Sequence, residues 1–393
     1  MSSLAWIDFD EAERQRAQRI MALFQERESR DELGLGAIRD SIADHLFPGT
    51  STIQTRLRYM LFIPWILRRL EGRDGTAAQL SAEGRAMELR LTDALKAGGE
   101  TSGIIGRDAG VRLQRLPSSV YWVGLGAWGI RLFQGSRETY YAALPNQRRR
   151  HQRPTQAESL EVEVLHAGTW HAGLPPAPSD FLETASFTLT PDEVQFIRDR
   201  LIAEAPNALL TWLARQAHNG DCAYIWQHPA YGDFPPAARR LVEHAQMFSG
   251  VMHGASLLYN LQLAELRDRQ DWVELYRARL AQWIADLDED ATATWSMADF
   301  WRDVAHPVHT VRPQLVHFVE EWVALVRSGA EAIPELAAAR SLVRERERRL
   351  KTAQSRFSNH AARDRWGGAS GADRLSFRWS QAQSHLGDLL RGE

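Results

Sequence analysis

Thr190-Pro191-Asp192-Glu193-Val194-Gln195-Phe196-Ile197 is the stretch from which the fold class is read. A threonine able to cap, a proline at the first helical position and a glutamate at the third together make a helix start. Val194, Ile197, Leu201 and Ile202 then recur at the spacing of one helical face. Towards the C-terminus the same spacing predicts helices over 236–267, 271–285, 297–305, 314–327 and 333–365. The first of these is apolar along its length (Val242, Met247, Val251, Leu258, Leu261). Gly250 and Gly254 within it would admit a close neighbour, at a cost of about 1 kcal/mol each. The C-terminal half is therefore expected to be a helical bundle.

Towards the N-terminus the pattern is also mainly helical. Residues 4–9 alternate and suggest a short strand, while Ala17, Ile20, Met21, Leu23 and Phe24 predict a helix over 11–28. A helix over 33–46 ends before Pro48-Gly49, and Thr50 or Ser51 would cap a second running to Arg69, kinked or divided at Pro64. A further helix over 77–96 stops at Gly98-Gly99. Glycines punctuate 101–135 around Val120-Tyr121-Trp122-Val123, which fits either a small β-hairpin wing or a tight helix-and-loop unit. The chain thus divides into a helical module with helix-turn-helix character (1–144), a basic and proline-rich linker (145–180), a helical bundle (181–330) and an arginine-rich helix and tail (331–393). The expected fold class is mainly α.

Composition limits the chemistry. With 44% hydrophobic residues and 14 tryptophans among 393, the chain can bury sizeable cores. Its single cysteine, Cys222, rules out an intrachain disulfide and any multi-cysteine metal site within one chain. Of the 47 basic residues only Lys96 and Lys351 are lysines, and neither stands in the context of a phosphate-cradling loop. The first ten residues lack a basic region followed by an apolar stretch, and the most apolar run, 59–67, is too short to span a bilayer. The expectation is a cytoplasmic protein with no membrane partner.

The net charge of −3 hides a segregation of sign. Residues 107–153 hold nine arginines against Asp108 and Glu138, a net +7, and residues 340–393 carry +6. Such local excess points to phosphate backbones, or to docking on the protein's own acidic part. Within 51–58 the residues Ser51, Thr52, Gln54, Thr55, Arg56 and Arg58 suit the opening of a DNA-reading helix, since small hydroxyls reach phosphates and Gln and Arg can fork onto base edges. Arg148, Arg149, Arg150 and Arg153 form a candidate basic clamp. Phe357, Trp366, Phe377 and Trp379 interleave with arginines, as a stacking platform or as core anchors.

Catalytic patterns are weaker. His306-Pro307-Val308-His309 has ligand-like spacing, with His317, His244, His253, Asp299 and Asp303 available to complete a nuclease-like metal site, but prolines set the pair in a turn. Gly368-Ala369-Ser370-Gly371-Ala372 misses a nucleophile elbow, and Cys222 has only sequence neighbours in His218 and His228. No catalytic residue, resident metal or cofactor is assigned.

Five further stretches carry a resemblance. Asp31-Glu32-Leu33-Gly34-Leu35-Gly36-Ala37-Ile38-Arg39-Asp40, Leu46-Phe47-Pro48-Gly49-Thr50-Ser51-Thr52-Ile53-Gln54-Thr55-Arg56, Phe62-Ile63-Pro64-Trp65, Leu116-Pro117-Ser118-Ser119-Val120-Tyr121-Trp122 and Gly254-Ala255-Ser256-Leu257-Leu258-Tyr259-Asn260 resemble an uncharacterised bacterial domain-of-unknown-function family over most of the chain. The resemblance implies a place beside helicase-like and nuclease-like genes in phage-defence islands, hence a role near DNA, and carries no catalytic residues. The resulting expectation is a non-catalytic nucleic-acid-binding or assembly component of a DNA-handling or anti-phage defence system. It would contact DNA, double-stranded by preference, and a protein partner in a defence complex. A metal-dependent nuclease or other hydrolase, and a protein-only scaffold, are the alternatives.

Overall fold

The computed structural model describes residues 31–151, 168–216 and 220–392, with backbone alone over 146–151. The elements expected at 4–9 and 11–28, and Arg153, lie outside them. The described residues form fifteen α-helices and no strand, and their β pairing is an isolated bridge between Arg131 and Trp170. The chain is mainly α. It divides into two compact units, Met1–Ile42 with Glu243–Leu375 and Ala43–Val242 with Ser376–Glu393.

In the second unit the core is helix α2 (Tyr59–Glu71), in which every residue from Tyr59 to Leu67 and Leu70 is buried. Around it pack α3 (Ala77–Ala97), α4 (Pro117–Ala127) and α5 (Arg137–His151). The expected division at Pro64 does not occur: the helix runs through it. An internal proline costs about 3 kcal/mol, whereas each fully buried large apolar side chain returns about 1.5–3 kcal/mol. With nine consecutive buried residues, packing wins.

Two other expectations are corrected, and the 101–135 segment takes one of the two forms left open for it. Helix α1 (Gly36–Leu46) and α2 are separated by twelve residues, too many for the short turn of a helix-turn-helix, and α2 starts at Tyr59 rather than near Ser51. The reason is tertiary: the backbone N–H groups of Thr55 and Arg56 bond the Tyr121 hydroxyl, and that of Leu57 bonds Asp388, so this strip satisfies its donors without helical bonds. The glycine-rich 101–135 segment forms no β wing. Val120-Tyr121-Trp122-Val123 lies inside α4, which begins with Pro117 at its first position and buries Val120, Tyr121 and Trp122. Finally, the helix expected over 333–365 breaks after α13 (Ala337–Lys351), where Thr352 adopts φ 46°, and resumes only as the short α14 (His360–Asp364).

The Thr190 start is present as read. Thr190 and Glu193 form a reciprocal capping box at the head of α6 (Pro191–Glu204). That helix packs on α7 (Leu209–Gln216), which also meets α15 (Trp379–Arg391). The long α8 (Pro236–Leu266) is apolar around most of its circumference because it is buried on most sides. In the first unit its glycines receive tryptophans of its neighbours. The Trp283 indole, from α9 (Gln270–Asp286), donates to the Gly250 carbonyl at 2.8 Å and its ring lies where a Gly254 Cβ would project. Trp322, from α12 (Pro313–Ser328), donates to the Val251 carbonyl at 2.9 Å.

Candidate functional site

The 51–58 strip is built into the interior of its own unit. Gln54 is buried, with its amide donating to the Gly49 carbonyl at 3.0 Å and its oxygen accepting from Ser51 N at 3.2 Å. Thr55 donates through its hydroxyl to the Gly103 carbonyl at 2.7 Å, and the Ser51 hydroxyl is buried without a partner. Thr52 is exposed. Arg56 forks onto Asp388, its Nε and Nη2 lying 3.0 and 2.9 Å from carboxylate oxygens, and stacks over Phe187 at 4.5 Å. Arg58 is buried and pairs with Glu193 at 2.7 Å while donating to the Ser186 carbonyl at 2.9 Å. A groove-reading role for Gln54 and Arg58 would require these bonds to break. The strip acts as a clamp between α2, α6 and α15.

The charge asymmetry has a similar fate where side chains are described. In the first unit Arg340 pairs with Glu265, Arg344 donates to Gln262 at 3.2 Å, and Arg356 joins Glu32 at 2.6 Å, the Tyr259 hydroxyl at 3.0 Å and Ser370 at 2.9 Å. Lys351 reaches the other Glu32 oxygen at 3.5 Å. In the second unit Arg378 pairs with Asp44 and donates to the Thr50 carbonyl, and Arg391 pairs with Asp388. Arginine suits this because its fork bridges carboxylates and orphan carbonyls at once. Of the aromatic series, Phe357, Trp366, Phe377 and Trp379 are all buried and serve as core anchors. Arg148, Arg149 and Arg150 occupy the last turn of α5.

Among the described residues the histidines do not gather around a common site. The rings of His306 and His309 lie 5.0 Å apart, and His317 faces Glu321 at 3.1 Å. His244 approaches Asp303 at 3.5 Å and accepts a 3.0 Å bond from the Trp295 indole. Burial holds the His244 ring below its ordinary pKa, against the pull of Asp303. Arg302 lies 2.5 Å from Asp299 and 2.9 Å from Asp303. Hydrogen bonds from Ser296 and then Arg302 keep the Asp299 carboxyl below its usual range. Among the described residues no three of His, Cys, Asp and Glu are grouped to hold a metal. Burial raises the Cys222 thiol, the opposite of what an activated nucleophile needs. Ser370 is tied to Arg356 and, through its backbone, to Asn260.

An open site lies instead in the first unit. A cleft of about 700 Å³ is bounded by the start of α1, the first turns of α12 and the second half of α13. Leu315, Phe318, Leu342 and Leu350 give it an apolar floor, and Arg312, Arg346 and Arg349 supply positive charge at its edge. Arg346 is fixed, donating to the carbonyls of Leu33 at 2.9 Å, Gly34 at 3.3 Å and Gln314 at 3.3 Å, and burial lowers its pKa. Gly34 has φ 67°, and a Cβ there would stand 2.9 Å from both the Arg346 guanidinium and a Leu350 methyl, so glycine is what lets the wall close. Arg349 is largely exposed and pairs with Glu345 at 3.2 Å. Sequence reading passed over this cleft. The available signals were Leu350, a lone apolar residue in a run of charges, and Arg312-Pro313 at a helix start.

A family model described as "Family of unknown function (DUF6361)" matches residues 1–392. No curated protein and no solved structure matches the chain. Among the described residues no helix is long and apolar enough to cross a membrane.

Proposed function

Because the chain belongs to the DUF6361 family, whose description assigns no activity, we propose from its geometry that it is a non-catalytic assembly component that binds a partner protein. The observation that carries this reading is the internal commitment of its arginines. The basic segment 340–393, which by charge alone suits a phosphate backbone, spends Arg340, Arg344, Arg346, Arg356, Arg378 and Arg391 on the protein's own carbonyls, amides and carboxylates. What stays open in the first unit is a cleft with an apolar floor and a charged edge, the composition of a protein-docking surface rather than of a reaction centre. The natural setting of such a component is cytoplasmic, in a phage-defence complex beside helicase-like and nuclease-like enzymes.

Co-expression with the products of the flanking genes, followed by size-exclusion chromatography at moderate salt, tests the reading. A complex of defined stoichiometry that survives the column is the expected result. Elution as an isolated chain with every neighbour overturns it.

A second reading, contact with double-stranded DNA, is favoured by the end of α5. Arg148, Arg149 and Arg150 are consecutive on a helix and so occupy about 200° of its circumference. No single packing face accommodates all three positions. Among the described residues the hydrolase reading has no gathered ligand set to support it.

A further inference from the structure

We propose that the strap Leu174-Pro175-Pro176-Ala177-Pro178 in the second unit is a polyproline II ligand, taken by an aromatic-lined groove of the partner protein. The proposal rests on the assembly reading and adds to it a contact and a chemistry.

The conformation follows from the sequence. Each pyrrolidine ring fixes φ at about −65°, and a residue that precedes proline is driven to extended ψ. Leu174, Pro175 and Ala177 all precede proline, so the run is held close to polyproline II. Residues 174–178 are accordingly neither helical nor bridged to a strand. Such a helix repeats every three residues and so has three edges. Exposure follows that order. Leu174 and Ala177, on one edge, are buried and half-buried. On the other two edges Pro175 is half-buried, while Pro176, Pro178 and the following Ser179 are exposed. One edge faces the protein, and the remaining face presents proline rings to solvent.

The protein reads the inner side itself. The Trp65 indole donates to the Pro175 carbonyl at 2.8 Å, and buried Leu174 and Phe181 hold the two ends. The outer side is unread. The carbonyls of Pro176 and Ala177 and the Ala177 N–H make no hydrogen bond with any described residue. Charge beside the strap is mixed, with Arg69 over the Phe181 ring at 4.5 Å and Asp180 exposed, so the proline face rather than a sign of charge selects the partner.

Flat apolar rings beside open carbonyls are complementary to aromatic side chains that carry an indole or phenol donor, the chemistry Trp65 already supplies from within. Locked φ angles and pinned ends leave little conformational entropy to lose on docking. A phosphate backbone would gain nothing from the proline rings.

The test immobilises the purified full-length chain and titrates over it the flanking-gene product that co-elutes with it. The double variant Pro176→Ala/Pro178→Ala should bind about tenfold or more weakly, with its melting temperature within a few degrees of the unaltered chain because both rings are exposed. The synthetic octapeptide Gly173–Asp180 should displace the chain, and the same peptide with alanine at both positions should need at least about tenfold more. Because the contact is apolar, affinity should change little with salt.

Equal binding by the double variant, or an octapeptide that fails to compete, overturns the strap and keeps the assembly reading. Self-association of the chain that the double variant abolishes also overturns it, since the occupant is then a second copy. No complex with any flanking-gene product overturns the assembly reading, and the strap with it.

Discussion

His385, on α15, is fully buried with neither ring nitrogen partnered, edge-on to Trp128 and facing the Arg56–Asp388 pair. Burial pushes its pKa down from 6.5 to about 4, against the pull of Asp388. The folded state therefore keeps the ring neutral where the unfolded chain already binds a proton. Stability is full above about pH 6.5 and falls as the pH drops towards 4, by at most about 3 kcal/mol from this group. Glu88 works in the opposite sense, because burial raises its carboxyl despite bonds from Ser118. Substitution isolates the histidine. His385→Leu, which sacrifices no hydrogen bond, should lie within about 1.5 kcal/mol of the natural chain at pH 7. At pH 5 it should gain about 2 kcal/mol relative to it in urea unfolding. Parallel pH profiles for the two chains would dismiss the assignment. Asp388 makes the complementary case. Its carboxylate is wholly buried and accepts from Arg56, Leu57 N and Arg391, so Asp388→Asn leaves Arg56 only the more distant Glu100 at 3.9 Å and should cost about 3 kcal/mol in the same measurement. Neither residue stood out in the sequence, since a histidine and an aspartate three apart on a polar helix read as surface.

At the scale of elements, legibility followed locality. The Thr190 capping box was readable because every group in it lies within four residues, and the structure forms both bonds. Thr190→Ala removes one of them and should lower stability by about 1 kcal/mol in chemical denaturation. Thr76, which caps α3 in the same way, should behave alike; a change below a few tenths for both would mean the caps are satisfied by water instead. The helices whose boundaries were misread are those set from a distance. The start of α2 is displaced to Tyr59 by donors bound to Tyr121 and Asp388, residues 65 and more positions away. Val120-Tyr121-Trp122-Val123 has strand-like composition, but in α4 Val120, Tyr121 and Trp122 are buried, which outweighs a propensity difference of under about 1 kcal/mol per residue.

For the whole molecule the question is where its positive charge is spent. If the tri-arginine of α5 is a DNA contact, replacing Arg148, Arg149 and Arg150 by alanine should weaken duplex binding alike for every sequence. It should also flatten the slope of log K against log salt by about three. An unchanged slope removes that surface. The fold class was legible because helical periodicity, caps and glycine stops are written in short windows, and so was the family resemblance, carried by contiguous motifs. The same windows limit chemistry, since one cysteine and two lysines exclude certain sites whatever the fold. The role of each arginine was not legible. Arg56, Arg346 and Arg356 look alike in sequence, and what separates them from Arg312 is a carboxylate or carbonyl brought from elsewhere in the chain, more than 300 positions away for the first three. The cleft likewise exists only once α1, α12 and α13 are assembled. Local patterns determine helices because a helix satisfies its own backbone; tertiary structure alone decides which charges remain for a partner, because neutralising a guanidinium depends on what folding places beside it.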